Sequence, residues 1–163
     1  LGEWFPEEMA GRAMPDDPAP APPHPAPRPE PGLSLADWKI LLAEDNLVNR
    51  TVAQGFMKRF DAVMDVAVNG LAAVEAAEKT SYDLILMDCE MLEMDGYEAV
   101  RQIRMLEQAQ ARKPAFILAM TAHSRLEAEK KCLDAGMDGF LSKPLKKQAL
   151  QEKLEQGARR RQA

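Results

Sequence analysis

The sequence predicts an α/β fold of the doubly wound kind, a parallel five-stranded sheet in the order 2-1-3-4-5 with helices on both faces. Three observations predict it. Short apolar runs suited to buried strands alternate five times with stretches of helical periodicity between Lys39 and Gln156. The connections are short, so right-handed crossovers leave few topologies open. Acidic, hydroxyl and ammonium side chains fall directly after the first, third, fourth and fifth runs, the end of the sheet where such folds carry their chemistry.

Each element follows in order. "KILLA" (39–43) is a buried strand. In "NLVNRTVAQGFMKRF" (46–60), Val48, Val52, Phe56 and Phe60 stand at helical spacing, with Asn46 near the N-cap. "AVMDVAV" (62–68) is a second strand, and Asn69-Gly70 turns the chain. "LAAVEAAEK" (71–79) is rich in alanine, the strongest helix former. "DLILM" (83–87) is a third strand. A helix from Gly96 to about Gln110 turns Val100, Ile103 and Leu106 inward. "AFILAM" (115–120) is a fourth strand, and "SRLEAEKKCLDA" (124–135) a helix that ends at Gly136, a residue suited to the left-handed position past a helix end. "GFLS" (139–142) is the fifth strand. The last helix runs from Lys146 to about Gln156, with Leu150 and Leu154 on one face.

The 163 residues suit one domain with a tail or linker. The expected division is a Pro-rich segment over 1–36, a folded domain over 37–157 and a basic tail over 158–163. Nine of the 17 residues from 15 to 31 are proline, which supplies no N–H to a helix or a sheet ladder, so an extended spacer is expected there, with His24 exposed in it. Upstream, "EWFPEEM" reads either as the end of a preceding domain or as a docking motif. The chain reads as a piece of something longer, since it starts "LGEWFPEEMA" without Met. That start is no signal peptide, and no apolar run is long enough to cross a membrane. A net charge of −5 disfavours direct nucleic-acid binding, and "ARRRQA" reads as a solvated tail. Cys89 and Cys132 lack CxxC spacing and read as reduced thiols of a cytoplasmic protein.

At the strand ends stand Glu44 and Asp45, then Asp88, then Thr121 and Ala122, then Lys143 and Pro144. In the predicted order four of the strands are adjacent, so these ends converge on one cleft. Three carboxylates without His or Cys are hard oxygen ligands that suit Mg²⁺ or Mn²⁺. An aspartate can attack phosphorus to give an acyl phosphate. A metal, an ammonium and a hydroxyl can neutralise the transferred group. Taken singly, each acid reads as a helix cap, and Lys143-Pro144 as a turn with Pro144 opening the last helix. Their common placement weakens that plainer interpretation.

From about Trp38 to Gln156 the chain resembles the receiver domain of two-component response regulators. The motifs "LLAEDN", "LILMDCEMLEMDGYEA", "ILAMTAHS" and "GFLSKPL" carry the resemblance, and "AEDNLVNR", "MDCEM" and "CLDAGMDGFLSKP" look most like receivers attached to hybrid sensor histidine kinases. The resemblance implies a (βα)₅ flavodoxin-like fold and these roles. Asp88 accepts a phosphoryl group from a phosphohistidine. Asp45 and the Glu90 backbone carbonyl ligate Mg²⁺, with Glu44 acting through water. Thr121 and the Ala122 N–H bind phosphoryl oxygens, and Lys143 pairs with Asp88 or its phosphate. Phe140, otherwise a plain core aromatic, matches the switch aromatic that moves with Thr121. The implied partners are a kinase's phosphohistidine domain and a downstream histidine phosphotransfer or output domain, around a monomer or weak dimer. Such a domain promotes its own phosphorylation and dephosphorylation without being a turnover enzyme, and the parent chain, itself membrane-anchored or not, reads as a hybrid histidine kinase.

Leu92 stands where the family usually has Pro, which should loosen the loop after Asp88. Glu93 and Asp95 read as solvated acids or helix-start charges. Glu90 and His123 sit two residues beyond Asp88 and Thr121, where the family tunes acyl-phosphate lifetime, and His123 is expected to face solvent rather than orient water. A receiver that is never phosphorylated and only docks is the second reading. A flavin or nucleotide binder on the same fold is the third, but it should show a Gly-rich or Ser/Thr-rich loop where this chain has "AEDNLVNR".

Overall fold

In the computed structural model, residues 33–162 are described. The order is β1 (Ile40–Ala43), α1 (Leu47–Met57) followed by a 3₁₀ turn (Lys58–Phe60), β2 (Met64–Ala67), α2 (Gly70–Lys79), β3 (Leu84–Asp88), α3 (Gly96–Ala109), β4 (Phe116–Thr121), α4 (Arg125–Ala135), β5 (Gly139–Ser142) and α5 (Lys147–Gln162). All four strand pairs are parallel, in the order β2-β1-β3-β4-β5. This is the expected flavodoxin-like architecture.

The central strands β1, β3 and β4 are buried on both sides, and alternate residues feed two cores. Leu41, Ala43, Ile85, Met87, Ile117 and Ala119 pack with α2, α3 and α4. Ile40, Leu42, Leu84, Leu86, Leu118 and Met120 pack with α1 and α5. A helix follows each strand tip, and four begin on a side-chain cap: Asn46 accepts from Asn49 N, Asn69 from Ala72 N, Asp95 from Glu98 N and Ser124 from Glu127 N. Gly136 closes α4 at φ 101°, where a side chain would be strained.

Several expectations need correction. Asn69-Gly70 is not a bare turn but a cap and first helical residue, because the next strand, β3, runs parallel to β2 in the same sheet and is reached by a crossover helix. In α1 the buried stripe is Ala53 and Met57, continued by Phe60, with Phe56 half-buried and Val48 and Val52 exposed. In α3, Val100 and Ile103 are buried, but Leu106 is only half-buried and Glu107 takes the inner position. Glu107 is tolerated there because it pairs with Arg104 and accepts from Ala115 N, both at 2.8 Å. Pro144 does not open the last helix, which starts at Lys147 and runs on through Gln162. Gly157 lets it lie against the Phe116 ring, and Arg160 bonds Asp138 at 2.6 Å, so the basic segment is helical through Gln162, with Arg159 and Arg160 still exposed. At the other end, Leu33 and Leu35 are buried in the α1/α5 core, ahead of the expected boundary at residue 37. The spacer, "EWFPEEM" and His24 lie outside the described residues.

Two glycines separate packing from propensity. A Cβ on Gly96 would collide with the Asp88 carbonyl oxygen and crowd Cys89 Cα, whereas one on Gly55 meets nothing within 4 Å. Denaturant unfolding of Gly96→Ala is expected to show a loss of about 1–3 kcal/mol, the usual cost of overpacking. Gly55→Ala, in an open helix interior, should gain about 0.5–1 kcal/mol.

Candidate functional site

The site is assembled where the tips of β1, β3, β4 and β5 meet. Backbone bonds beyond the regular ladder hold these tips together: Cys89 N donates to Met120 O and Lys143 N to Thr121 O, both at 2.9 Å. Arg50, which the sequence reasoning passed over, reaches back from α1 to the Glu44 and Asp45 carbonyls at 3.1 and 3.5 Å. It clamps the peptide that carries the two acids. Its only sequence signal was its place one turn after them.

Glu44, Asp45 and Asp88 each offer a carboxylate oxygen, and these atoms lie within 4.8 Å of one another. Asp88 is 1% exposed. Its Oδ1 accepts from Lys143 Nζ at 2.7 Å and from Glu90 N at 3.1 Å, while its buried Oδ2 has no hydrogen-bond partner. Lys143 Nζ also stands 3.7 Å from Glu44 Oε1. Burial draws the Lys143 ammonium down, but the bond to Asp88 and the charges of Asp88, Glu44 and Glu90 outweigh it and hold its pKa above the ordinary value. Glu44 is pushed up to about 7, first by burial and then by Asp88, against smaller opposing effects of the Asn46 N–H and Lys143. One ammonium therefore faces three carboxylates. A cation is the natural further partner, and the donor set fits a hard one: all oxygen, with one buried oxygen lacking any donor.

Thr121 is fully buried at the tip of β4. Its Oγ1 lies 3.3 Å from Glu90 Oε2 and 3.0 Å from His123 Nδ1, and accepts from His123 N at 3.0 Å. His123 Nδ1 is itself 3.0 Å from Glu90 Oε2. His123 thus faces solvent in part, as expected, but its ring also bonds within the site, and the Glu90 side chain has partners of its own. Ala122 is exposed beside Thr121, and Phe140 is half-buried on β5 against the α2/α3/α4 core. Glu93, at φ 72°, accepts from Asn69 Nδ2 at 3.0 Å rather than only meeting water. The Leu92 N–H, which a proline would lack, points to Asp45 Oδ2 at 3.4 Å. Cys89 and Cys132 are reduced and buried. The hydrogen bond between their thiols, with burial, raises Cys89, and the same bond lowers Cys132.

Comparison with known proteins agrees with this geometry. Residues 40–155 match the model of the response regulator receiver domain. A Dictyostelium discoideum hybrid signal transduction histidine kinase is 46% identical over 116 residues, covering 66% of this chain and 6% of that protein. Arabidopsis thaliana histidine kinase 5 is 38% identical over 141 residues, covering 72% and 15%. The chain thus spans a small part of the curated relatives it matches. Among solved structures, the receiver domain of a Pseudomonas aeruginosa sensor histidine kinase, with a magnesium ion coordinated in its active site cleft, is 39% identical. It aligns at a TM-score of 0.65 over 73% of this chain and 95% of its own. A Saccharomyces cerevisiae receiver domain co-crystallised with its histidine phosphotransfer protein is 29% identical, with a TM-score of 0.68 over 72% and 86%.

The raised Glu44 pKa makes proton and cation competitors. Between pH 4.5 and about 7 the folded metal-free domain holds a proton that the unfolded chain has released, so its stability falls as pH rises through that window. Cation affinity moves the other way. Titration calorimetry with Mg²⁺ should show binding that tightens as pH rises towards and through about 7. Glu44→Gln should remove this part of the pH dependence.

Proposed function

The chain belongs to the response regulator receiver domain family of two-component signalling, and from that premise we propose that Asp88 is the phosphoacceptor of a Mg²⁺-dependent phosphorelay. The observation that carries the proposal is the state of Asp88: a buried carboxylate with Oδ1 held by Lys143 and Oδ2 without a partner, in a cluster of three acids. Asp45, Asp88 and the Glu90 carbonyl would hold the ion, with Glu44 acting through water, and Mn²⁺ is an acceptable substitute. Bound there, the ion supplies positive charge to the transferred group and offsets the carboxylates' repulsion.

The chain's own residues do the rest. An Asp88 carboxylate oxygen attacks the phosphorus of a phosphohistidine. The O–P bond forms as the N–P bond breaks, and the imidazole leaves with the electron pair. The Glu90 N–H and Lys143 fix the Asp88 carboxylate, and Lys143 remains to pair with the phosphoryl oxygens. Thr121 and the Ala122 N–H are the remaining donors. When Thr121 turns to the phosphoryl group, Phe140 has room to rotate inward, which supplies a two-state packing element. The intact set of Asp45, Asp88, Thr121 and Lys143 favours this reading over a receiver that only docks.

The donor and acceptor partners would be histidine-bearing domains of the kinase and of a phosphotransfer or output protein. Leu47, Val48 and Val52 of α1 and Leu92 of the loop after β3 are exposed apolar residues borne by segments that begin at the acidic cluster. They form the apolar collar we assign to that docking, and their exposure explains why α1 carries more apolar residues than its buried stripe needs. We place this segment in the cytoplasm, in a hybrid histidine kinase.

Incubation with acetyl phosphate and Mg²⁺ should add one phosphate by intact mass, and Asp88→Asn should abolish the gain. A gain that survives Asp88→Asn refutes the assignment. Lys143→Ala should slow the reaction on the order of a hundred- to a thousandfold, as losing one preorganised donor does. Val52→Asp should slow transfer from a phosphohistidine domain about tenfold, while labelling by acetyl phosphate stays unchanged.

A further inference from the structure

Glu90 and His123 arrive from different strand tips, yet both close on the Thr121 hydroxyl. The three groups form a triangle with edges of 3.3 Å (Thr121 Oγ1 to Glu90 Oε2), 3.0 Å (Thr121 Oγ1 to His123 Nδ1) and 3.0 Å (His123 Nδ1 to Glu90 Oε2). The backbone N–H of His123 adds a fourth bond to the same Oγ1. We propose that Glu90 and His123 act as a latch that holds the Thr121 hydroxyl off Asp88, and so sets the balance between the two states of the switch. This deepens the phosphoacceptor reading and rests on it.

A threonine hydroxyl has one proton to donate. If His123 Nδ1 carries a proton, that N–H serves Glu90 and the Thr121 proton can only go to the Glu90 carboxylate. If Nδ1 is bare, it competes with Glu90 as acceptor for the Thr121 proton. In both tautomers the donor is used within the triangle. Asp88 accepts from Lys143 and from the Glu90 N–H, not from Thr121. A phosphoryl group on Asp88 must therefore win the hydroxyl from Glu90 and His123.

The competition is local and direct. Glu90 touches both sides of it, since its N–H bonds Asp88 and its side chain bonds the group that must leave for the phosphate. A phosphoryl group brings negative charge close to the Glu90 carboxylate, which it repels, and offers stronger acceptors to Thr121. Repulsion and competition both open the latch. The side chains of His123 and Glu90 are 38% and 41% exposed, so solvent can take over their polar groups once Thr121 leaves. Opening then costs little beyond the bonds themselves. Glu90 and His123 are positioning residues in this account, and they act through Thr121.

The test is equilibrium binding of beryllofluoride, a phosphoryl mimic, by the Mg²⁺-saturated domain, read by calorimetry, with the Phe140 ring followed by NMR. Glu90→Ala and His123→Ala should each tighten binding roughly three- to tenfold, the equivalent of one modest hydrogen bond. The Phe140 ring signals should shift towards the mimic-bound positions before any mimic is added. The double variant should gain no more than the larger single one, because the pair acts as a unit. Glu90→Gln, which loses the charge but keeps an acceptor, should stay nearer the native affinity than Glu90→Ala. His123→Ala should bind Mg²⁺ alone as the native domain does. Unchanged affinity in both alanine variants overturns the latch, as do additive gains or a Glu90→Gln equal to Glu90→Ala. A native domain that binds no mimic overturns the phosphoacceptor reading and the latch together.

Discussion

The 2.7 Å bond from Lys143 Nζ to Asp88 Oδ1 is the contact on which the rest of the site depends. Asp88 is almost fully buried, and a buried carboxylate without a matched cation is strongly destabilising. Lys143 is the cation this chain supplies, and it arrives from the far side of the sheet, two strands away from β3. One ammonium does not balance three acids. Glu44 responds by holding its proton to a higher pH, and Asp88 Oδ2 is left bare. The incomplete neutralisation is what makes the cluster a receptor for further positive charge rather than a finished salt bridge.

That contact requires the strand tips to end at matching heights. The regular ladder sets the register, with Asp88 opposite Met120 and Thr121 opposite Ser142. Two added bonds, Cys89 N to Met120 O and Lys143 N to Thr121 O, carry the pairing one step beyond it. Behind Asp88 the chain turns back at once, and Gly96 N bonds Cys89 O. This brings the start of α3 so close to the Asp88 carbonyl that only glycine fits there. The packing that holds Asp88 in place and the chemistry assigned to it therefore share the same few residues.

Much of this was legible in the sequence, because burial on both faces writes a strand as an apolar run, and a strand tip ends it with a polar residue. Glu44, Asp45, Asp88, Thr121 and Lys143 stood out for that reason. What stayed hidden involved two segments at once. Val48 and Val52 have the spacing of a core stripe, but so do Ala53, Met57 and Phe60, and only the docking of α1 on the sheet decides between them. Glu107 looks like a surface acid until Arg104 and the Ala115 N–H are brought to it. Asn69-Gly70 is a turn signal locally and a helix cap in a parallel sheet. The meeting of Glu90 with His123 depends on β3 lying beside β4, a fact that no local pattern around either residue contains.

Asp88 Oδ2 and the Tyr97 hydroxyl are the two buried side-chain polar atoms without a hydrogen bond among the described residues, and both belong to this end of the sheet. Tyr97 follows Gly96 at the start of α3. Its hydroxyl is pushed to a higher pKa first by burial and then by Cys89, with Cys132 adding and Thr121 opposing. Elsewhere polar groups in the interior are met, as Glu107 and Asp138 are by Arg104. Unsatisfied groups weaken a fold wherever they lie. Their confinement to one end leaves the two cores intact and makes the site the place where an alternative packing costs least. A rearrangement that gives Oδ2 a ligand and the Tyr97 hydroxyl a partner would recover what Thr121 loses on leaving Glu90 and His123. The proposed switch would need its two states nearly balanced, and both unmet atoms lie at the end of the sheet that would carry the phosphoryl group.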